Sequence, residues 1–169
     1  MRRMVTPLAA AVLAMISLGV LLAADEKAEK KADKKKDAAF CPVGGIGHAI
    51  TKDNKVDFEG GVVHFCCEDC PAAFKKDTAK FAANARHQLL ATGQIEQVAC
   101  PLSGQKLNPE KKVEIAGLEV AFCCENCQGK VAKIEKPQEK IALVFKASLK
   151  DSKAFKLKKK DDKKAEAKT

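Results

Sequence analysis

The chain has no tryptophan and no tyrosine, and its aromatic side chains are eight phenylalanines in 169 residues. No series of aromatics is interleaved with its lysines to stack bases, so a specific nucleic-acid partner is not expected. No Ser-His-Asp arrangement appears, and no pair of carboxylates sits on one organised element. Gly44-Gly45-Ile46-Gly47 lacks the flanking strand and lysine of a phosphate loop. A C-x-x-C-H haem attachment is missing too. These absences leave no catalytic constellation, and the expectation is a protein that is not an enzyme. Beyond Leu22 no apolar run is long enough to span a bilayer.

Basic residues exceed acidic ones by nine, but the excess is local. Residues 40–149 carry fourteen basic and thirteen acidic side chains, whereas residues 150–169 carry nine lysines and four acids. The folded part is therefore near neutral. A charged stretch at 25–39 reads as a flexible linker, and 151–169 reads as a solvated, disordered Lys-rich tail. That tail leaves room for weak contact with an anionic surface. Arg2 and Arg3 precede the apolar segment Val5–Leu22 and the small pair Ala23-Ala24, the pattern of an export signal over 1–24. Leu21 or Leu22 falls where a small residue is preferred, so an uncleaved anchor is the alternative. Cleavage places the mature chain in the periplasm or outside the cell. No cysteine stands directly after the apolar segment, which argues against a lipoprotein anchor.

What is present is an internal duplication. Cys41-Pro42 matches Cys100-Pro101 at an offset of 59, and Phe65-Cys66-Cys67-Glu68-Asp69-Cys70 matches Phe122-Cys123-Cys124-Glu125-Asn126-Cys127 at an offset of 57. The first copy thus has two extra residues between its cysteine groups. All eight cysteines fall in the repeat, four per copy. The spacing divides the chain into a first unit at 40–92, a second at 99–137 and a short helical packing segment at 138–150.

Each unit reads as α+β. Val56–Glu59 and Val62–Phe65 form a β-hairpin around Gly60-Gly61, and residues 113–122 repeat it less cleanly around Ala116-Gly117-Leu118. A helix follows each cluster. The first runs over 71–91 with Ala73, Phe74, Phe81 and Leu89 on its apolar face and Gly93 at its end; the second runs over 127–135. Ala154-Phe155 read as a further helical piece. His87 is placed to interact with the C-terminal helix dipole.

The C-C-x-x-C group puts thiolates on one side of a first helical turn, where the helix N-terminus favours negative charge. The Cys-Pro knuckle closes the site from the other side. Converging sulfurs make a soft-ligand site suited to Zn²⁺ or Cu⁺. The candidate ligands are Cys41, Cys66, Cys67 and Cys70 in one copy and Cys100, Cys123, Cys124 and Cys127 in the other. His48, in the Gly-rich loop, and His64 are secondary candidates; the counterpart of His64 is Ala121. Two alternatives stay open. Eight cysteines in an oxidising compartment can form four disulfides, giving a stapled interaction module. Cys67-Glu68-Asp69-Cys70 also has the spacing of a thiol–disulfide oxidoreductase, although its two acids raise the thiol pKa and no thioredoxin-like pattern surrounds it.

The order C-P-x-x-G, hairpin, F-C-C-x-x-C, helix resembles the TRASH and YHS family of small metal-binding domains, over residues 40–75 and 99–131. The resemblance implies treble-clef or zinc-ribbon-like units, a part in heavy-metal sensing, trafficking or resistance, and exchange of metal with a transporter or chaperone. It maps the ligands onto Cys41, Cys66 and Cys70, and onto Cys100, Cys123 and Cys127. Cys67 and Cys124 stand where many members carry Ser or another small residue. Gly44 and Ser103 stand where related fingers can carry another cysteine, which leaves the fourth ligand open. Secreted bacterial proteins with tandem copies and lysine-rich flanks are similar.

Overall fold

The computed structural model describes residues 38–158. The export segment expected at 1–24, residues 25–37 of the linker and the tail from 159 lie outside them. In chain order the described elements are β1 (Lys55–Phe58), β2 (Gly61–His64), α1 (Asp69–Lys76), α2 (Thr78–Ala91), β3 (Ile95–Gln97), β4 (Asn108–Ile115), β5 (Leu118–Phe122), α3 (Glu125–Ala132), α4 (Pro137–Val144) and β6 (Phe155–Leu157). The class is α+β, with antiparallel pairs β1–β2, β4–β5 and β3–β6. Among the described residues no helix is long and apolar enough to cross a membrane.

Each copy contributes a hairpin followed by a helix. Phe58 pairs with Gly61 and Ile115 with Leu118, so the loops are Glu59-Gly60 and Ala116-Gly117. All four loop residues have positive φ, 50°, 87°, 46° and 82°, as a type I′ turn demands. The first turn therefore lies one residue earlier than the glycine pair suggests. The second is as tight as the first, with Leu118 already in its strand. A lone glycine at the second loop position suffices because the first position tolerates a modest left-handed strain.

The single helix expected over 71–91 is two. Asp77 breaks it, with φ −139°, and its carboxylate accepts from the Lys80 amide at 3.1 Å to cap α2. The end of α2 behaves as read. Gly93, φ +73°, follows the cap; its amide bonds Leu90 O at 3.1 Å, and the Gln94 amide bonds Leu89 O at 2.9 Å, a Schellman ending. Pro137 opens α4 in the first helical turn, where its missing N–H costs nothing.

The two copies share one core. Phe65, Phe74, Phe122, Phe145 and Phe155 are all fully buried. Phe74 contacts Phe58 and Phe65, and Phe145 stacks on Phe155 at 5.0 Å. Ala154-Phe155 are not helical: Ala154 precedes β6, where Phe155 pairs with Gln97 and Leu157 with Ile95. Residues 152–158 thus belong to the fold rather than to the solvated tail, because Phe155 has a distant hydrophobic partner. Ala38 is likewise buried, against Gly117.

His87 is not a surface residue at a helix end. It is fully buried between Phe40 and Phe145, with ring centroids 4.9 and 5.5 Å away, and its Nε2 donates to Ile115 O at 3.0 Å. Its neighbour Arg86 makes a bidentate pair with Glu59 at 2.6 and 2.9 Å and donates to Phe145 O and Lys146 O. Glu59 in turn accepts from the Leu149 amide. These contacts tie the first hairpin to the segment after α4.

Candidate metal centre

The hairpin delivers Cys66 at the end of β2, and α1 presents Cys70 in its first turn. Cys41 comes from a knuckle closed by Cys41 N–H to His48 O at 2.9 Å and Gly45 N–H to Cys41 O at 2.8 Å. The second copy repeats this with Cys100 N–H to Gln105 O at 2.9 Å and Gly104 N–H to Cys100 O at 2.8 Å. His48 therefore stands where Gln105 stands, and the two extra residues of the first copy are Ile46-Gly47, inside the knuckle.

Two sulfur triads result. Cys41, Cys66 and Cys70 have their sulfurs within 4.8 Å of one another, and so do Cys100, Cys123 and Cys127. Two sulfurs bound to one tetrahedral Zn²⁺ at about 2.3 Å are about 3.8 Å apart. Cys66–Cys70 is 3.6 Å and Cys123–Cys127 is 3.7 Å. The donor set and its spacing fit a thiophilic ion, and the arrangement can hold one metal per copy.

Cys67 and Cys124 are exposed and lie outside the triads. Cys67 is 3.2 Å from Cys70, shorter than the edge of a tetrahedral site and far longer than a disulfide of about 2.05 Å. Cys124 is 3.6 Å from Cys123. All eight cysteines are unpaired in the structure. Neither secondary histidine joins a triad. His64 keeps its Nδ1 buried with no hydrogen-bond partner, and the exposed His48 ring lies over Gly44.

Crowding sets the charge of the thiols. Burial pushes Cys41 up, but the amides of Gly44, Cys66 and Val43 outweigh it and leave it below its ordinary value. Burial opposes ionisation of Cys100 as well; the Ser103 hydroxyl and the amides of Cys123, Leu102 and Ser103 bring it down to about 6. Cys70 and Cys127 go the other way, through burial and then the neighbouring sulfurs, Cys127 to about 12. One thiolate per triad suppresses the next, a conflict that a bound cation removes.

Sequence reasoning missed what holds the triads. The Gln88 amide donates to Phe40 O at 2.8 Å and His64 O at 2.7 Å and accepts from His64 N–H at 2.7 Å. It thereby joins the residue before Cys41 to the residue two before Cys66. Gln97 does the same for the second copy, donating to Ala99 O at 3.4 Å and Ala121 O at 2.7 Å and accepting from Ala121 N–H at 3.0 Å. Ala99 and Ala121 are the counterparts of Phe40 and His64, yet Gln88 lies on α2 and Gln97 on β3. Gln94 satisfies Val62 in the same way, with bonds of 2.6 and 2.7 Å. The amides act as a third strand along the free hairpin edges. Only their uncharged, two-way hydrogen-bonding type hinted at this in the sequence.

No protein-family model matches this chain, and comparison with curated proteins and with solved structures returns no match.

Proposed function

We propose that this protein is an exported, non-enzymatic metal-binding protein that takes one thiophilic ion, Zn²⁺ or Cu⁺, per copy and buffers it or passes it to a transporter or chaperone. The observation that carries the reading is the recurrence of a three-sulfur cluster within 4.8 Å at equivalent places in both copies. The likeness of the cysteine pattern to TRASH and YHS domains supports it, and the N-terminal apolar segment supports a periplasmic or secreted location. The test is metal content with thiol titration of protein purified from its native compartment. Two metal ions per chain with all eight thiols reactive on denaturation is the expected result; no metal and no free thiols overturns it. Cys66→Ser lowers the metal content by one ion, whereas Cys67→Ser leaves it at two.

A disulfide-stapled module is the second reading, favoured by the short Cys67–Cys70 separation of 3.2 Å. It requires the same titration to find paired cysteines.

A further inference from the structure

The two triads are alike in their sulfurs but not at the fourth corner of a tetrahedron. In the second copy that corner is approached from the knuckle by Ser103, whose hydroxyl lies 3.1 Å from Cys123 Sγ. Its counterpart in the first copy is Gly44, which has no side chain to offer. The space is filled from elsewhere. A Cβ on Gly44 would lie 2.9 Å from His48 Cγ and 3.2 Å from His48 Nδ1, so the imidazole sits where a side chain at position 44 would begin. The Gly44 amide, meanwhile, points at Cys41 Sγ from 3.3 Å, which places this residue against the triad. The Ile46-Gly47 insertion is what arches the loop and turns the His48 ring over Gly44. The position's counterpart in the second copy, Gln105, offers only an amide, a poor ligand for a soft ion.

We propose that the two centres are chemically distinct. Zn²⁺ in the first is held by Cys41, Cys66, Cys70 and the His48 imidazole. Zn²⁺ in the second is held by Cys100, Cys123 and Cys127, with its fourth position left to Ser103 and solvent. The His48 nitrogens stand outside the 4.8 Å sulfur cluster, and positive-φ glycines on both sides of Ile46, Gly45 at 86° and Gly47 at 94°, permit the loop movement that brings the exposed ring onto the ion. Four protein ligands close a site, and three leave a position for exchange. The first copy therefore retains its ion and the second releases it. This rests on the metal-binding function proposed above.

The test uses the full chain and Zn²⁺. Long-range ¹H–¹⁵N NMR of the histidine rings reads ligation directly: one His48 ring nitrogen moves to the metal-bound range as the first ion binds, while His64 and His87 stay put. His48→Ala lowers the affinity for the tighter ion at least ~100-fold, more than loss of an outer-shell partner costs, and leaves the weaker ion unchanged. Gly44→Ala has the same effect with the imidazole still present, because its Cβ displaces the ring. A chain that binds two ions while the His48 nitrogens do not move overturns this inference and leaves the metal-binding function standing. Loss of the tighter ion on Cys67→Ser, with His48→Ala silent, overturns it in favour of a fourth sulfur. A wild-type chain that takes up no Zn²⁺ overturns both.

Discussion

Replacing Gln88 tests how the first triad is assembled. Its side chain is fully buried and makes three hydrogen bonds of 2.7 to 2.8 Å, to both backbone groups of His64 and to Phe40 O. Truncation to Ala leaves those groups unpaired and opens a cavity. One unpaired buried group costs about 1–3 kcal/mol, and bonds that share one amide do not add in full, so Gln88→Ala is expected to cost roughly 3–5 kcal/mol. Gln88→Met keeps the chain length and separates the lost hydrogen bonds from the cavity. Gln88→Glu is worse than Met, because a carboxylate cannot donate to the two carbonyl oxygens and carries a buried charge. Urea unfolding of the metal-free protein reads the stability, and Zn²⁺ competition titration reads the first centre. Its affinity should fall by about 10–100-fold, as for other residues that orient ligands without touching the metal. The half-buried Gln97 is the control. Gln97→Ala should cost about 1 kcal/mol, because water can replace its bonds, and should weaken the second centre instead. If Gln88→Ala unfolds at the wild-type urea concentration and binds both ions normally, the clamp is incidental and the reasoning fails.

Four further expectations concern the shared core, a turn and a helix. Burial holds His87 at about 4, against 6.5 when unfolded, so the unfolded chain binds the extra proton as pH falls between these values. Stability is then full above the unfolded value and declines by about 3 kcal/mol on acidification from 6.5 to 4, a slope in urea midpoints that His87→Gln removes. Glu59→Ala leaves Arg86 charged and buried, the two side chains being 13% and 8% exposed, and should cost about 3–5 kcal/mol in thermal or urea unfolding. Gly117→Ala puts a Cβ 3.1 Å from that of Ala38 at a φ of +82° and should lose about 1–2 kcal/mol. Gly129→Ala, inside α3 with open space around it, should gain about 0.5–1 kcal/mol in the same assay.

The duplicated cysteine pattern was enough to indicate two hairpin-helix units and to offer all eight cysteines as candidate ligands; the structure groups six of them into triads. The hairpin-helix relations are local: a type I′ turn, a strand end and a first helical turn lie within about fifteen residues of one another, and residue type with spacing determines them. The break at Asp77 was also written locally, as a capping residue inside an apolar helical pattern. The rest was decided in three dimensions. Gln88, Gln94 and Gln97 look alike as polar residues in a row, and only the packed hairpins give each a strand edge to pair with. His87 becomes a buried neutral imidazole, and Phe155 a strand residue, because the two copies pack on each other rather than standing apart. The position of the two-residue insertion followed from hydrogen bonds that the alignment of cysteines does not contain, Cys41 to His48 and Cys100 to Gln105. Side-chain chemistry and short-range geometry thus set the sulfur pairs Cys66–Cys70 and Cys123–Cys127, and Cys41 and Cys100 join them only through the tertiary fold. The partner that completes each one depends on where distant backbone comes to rest.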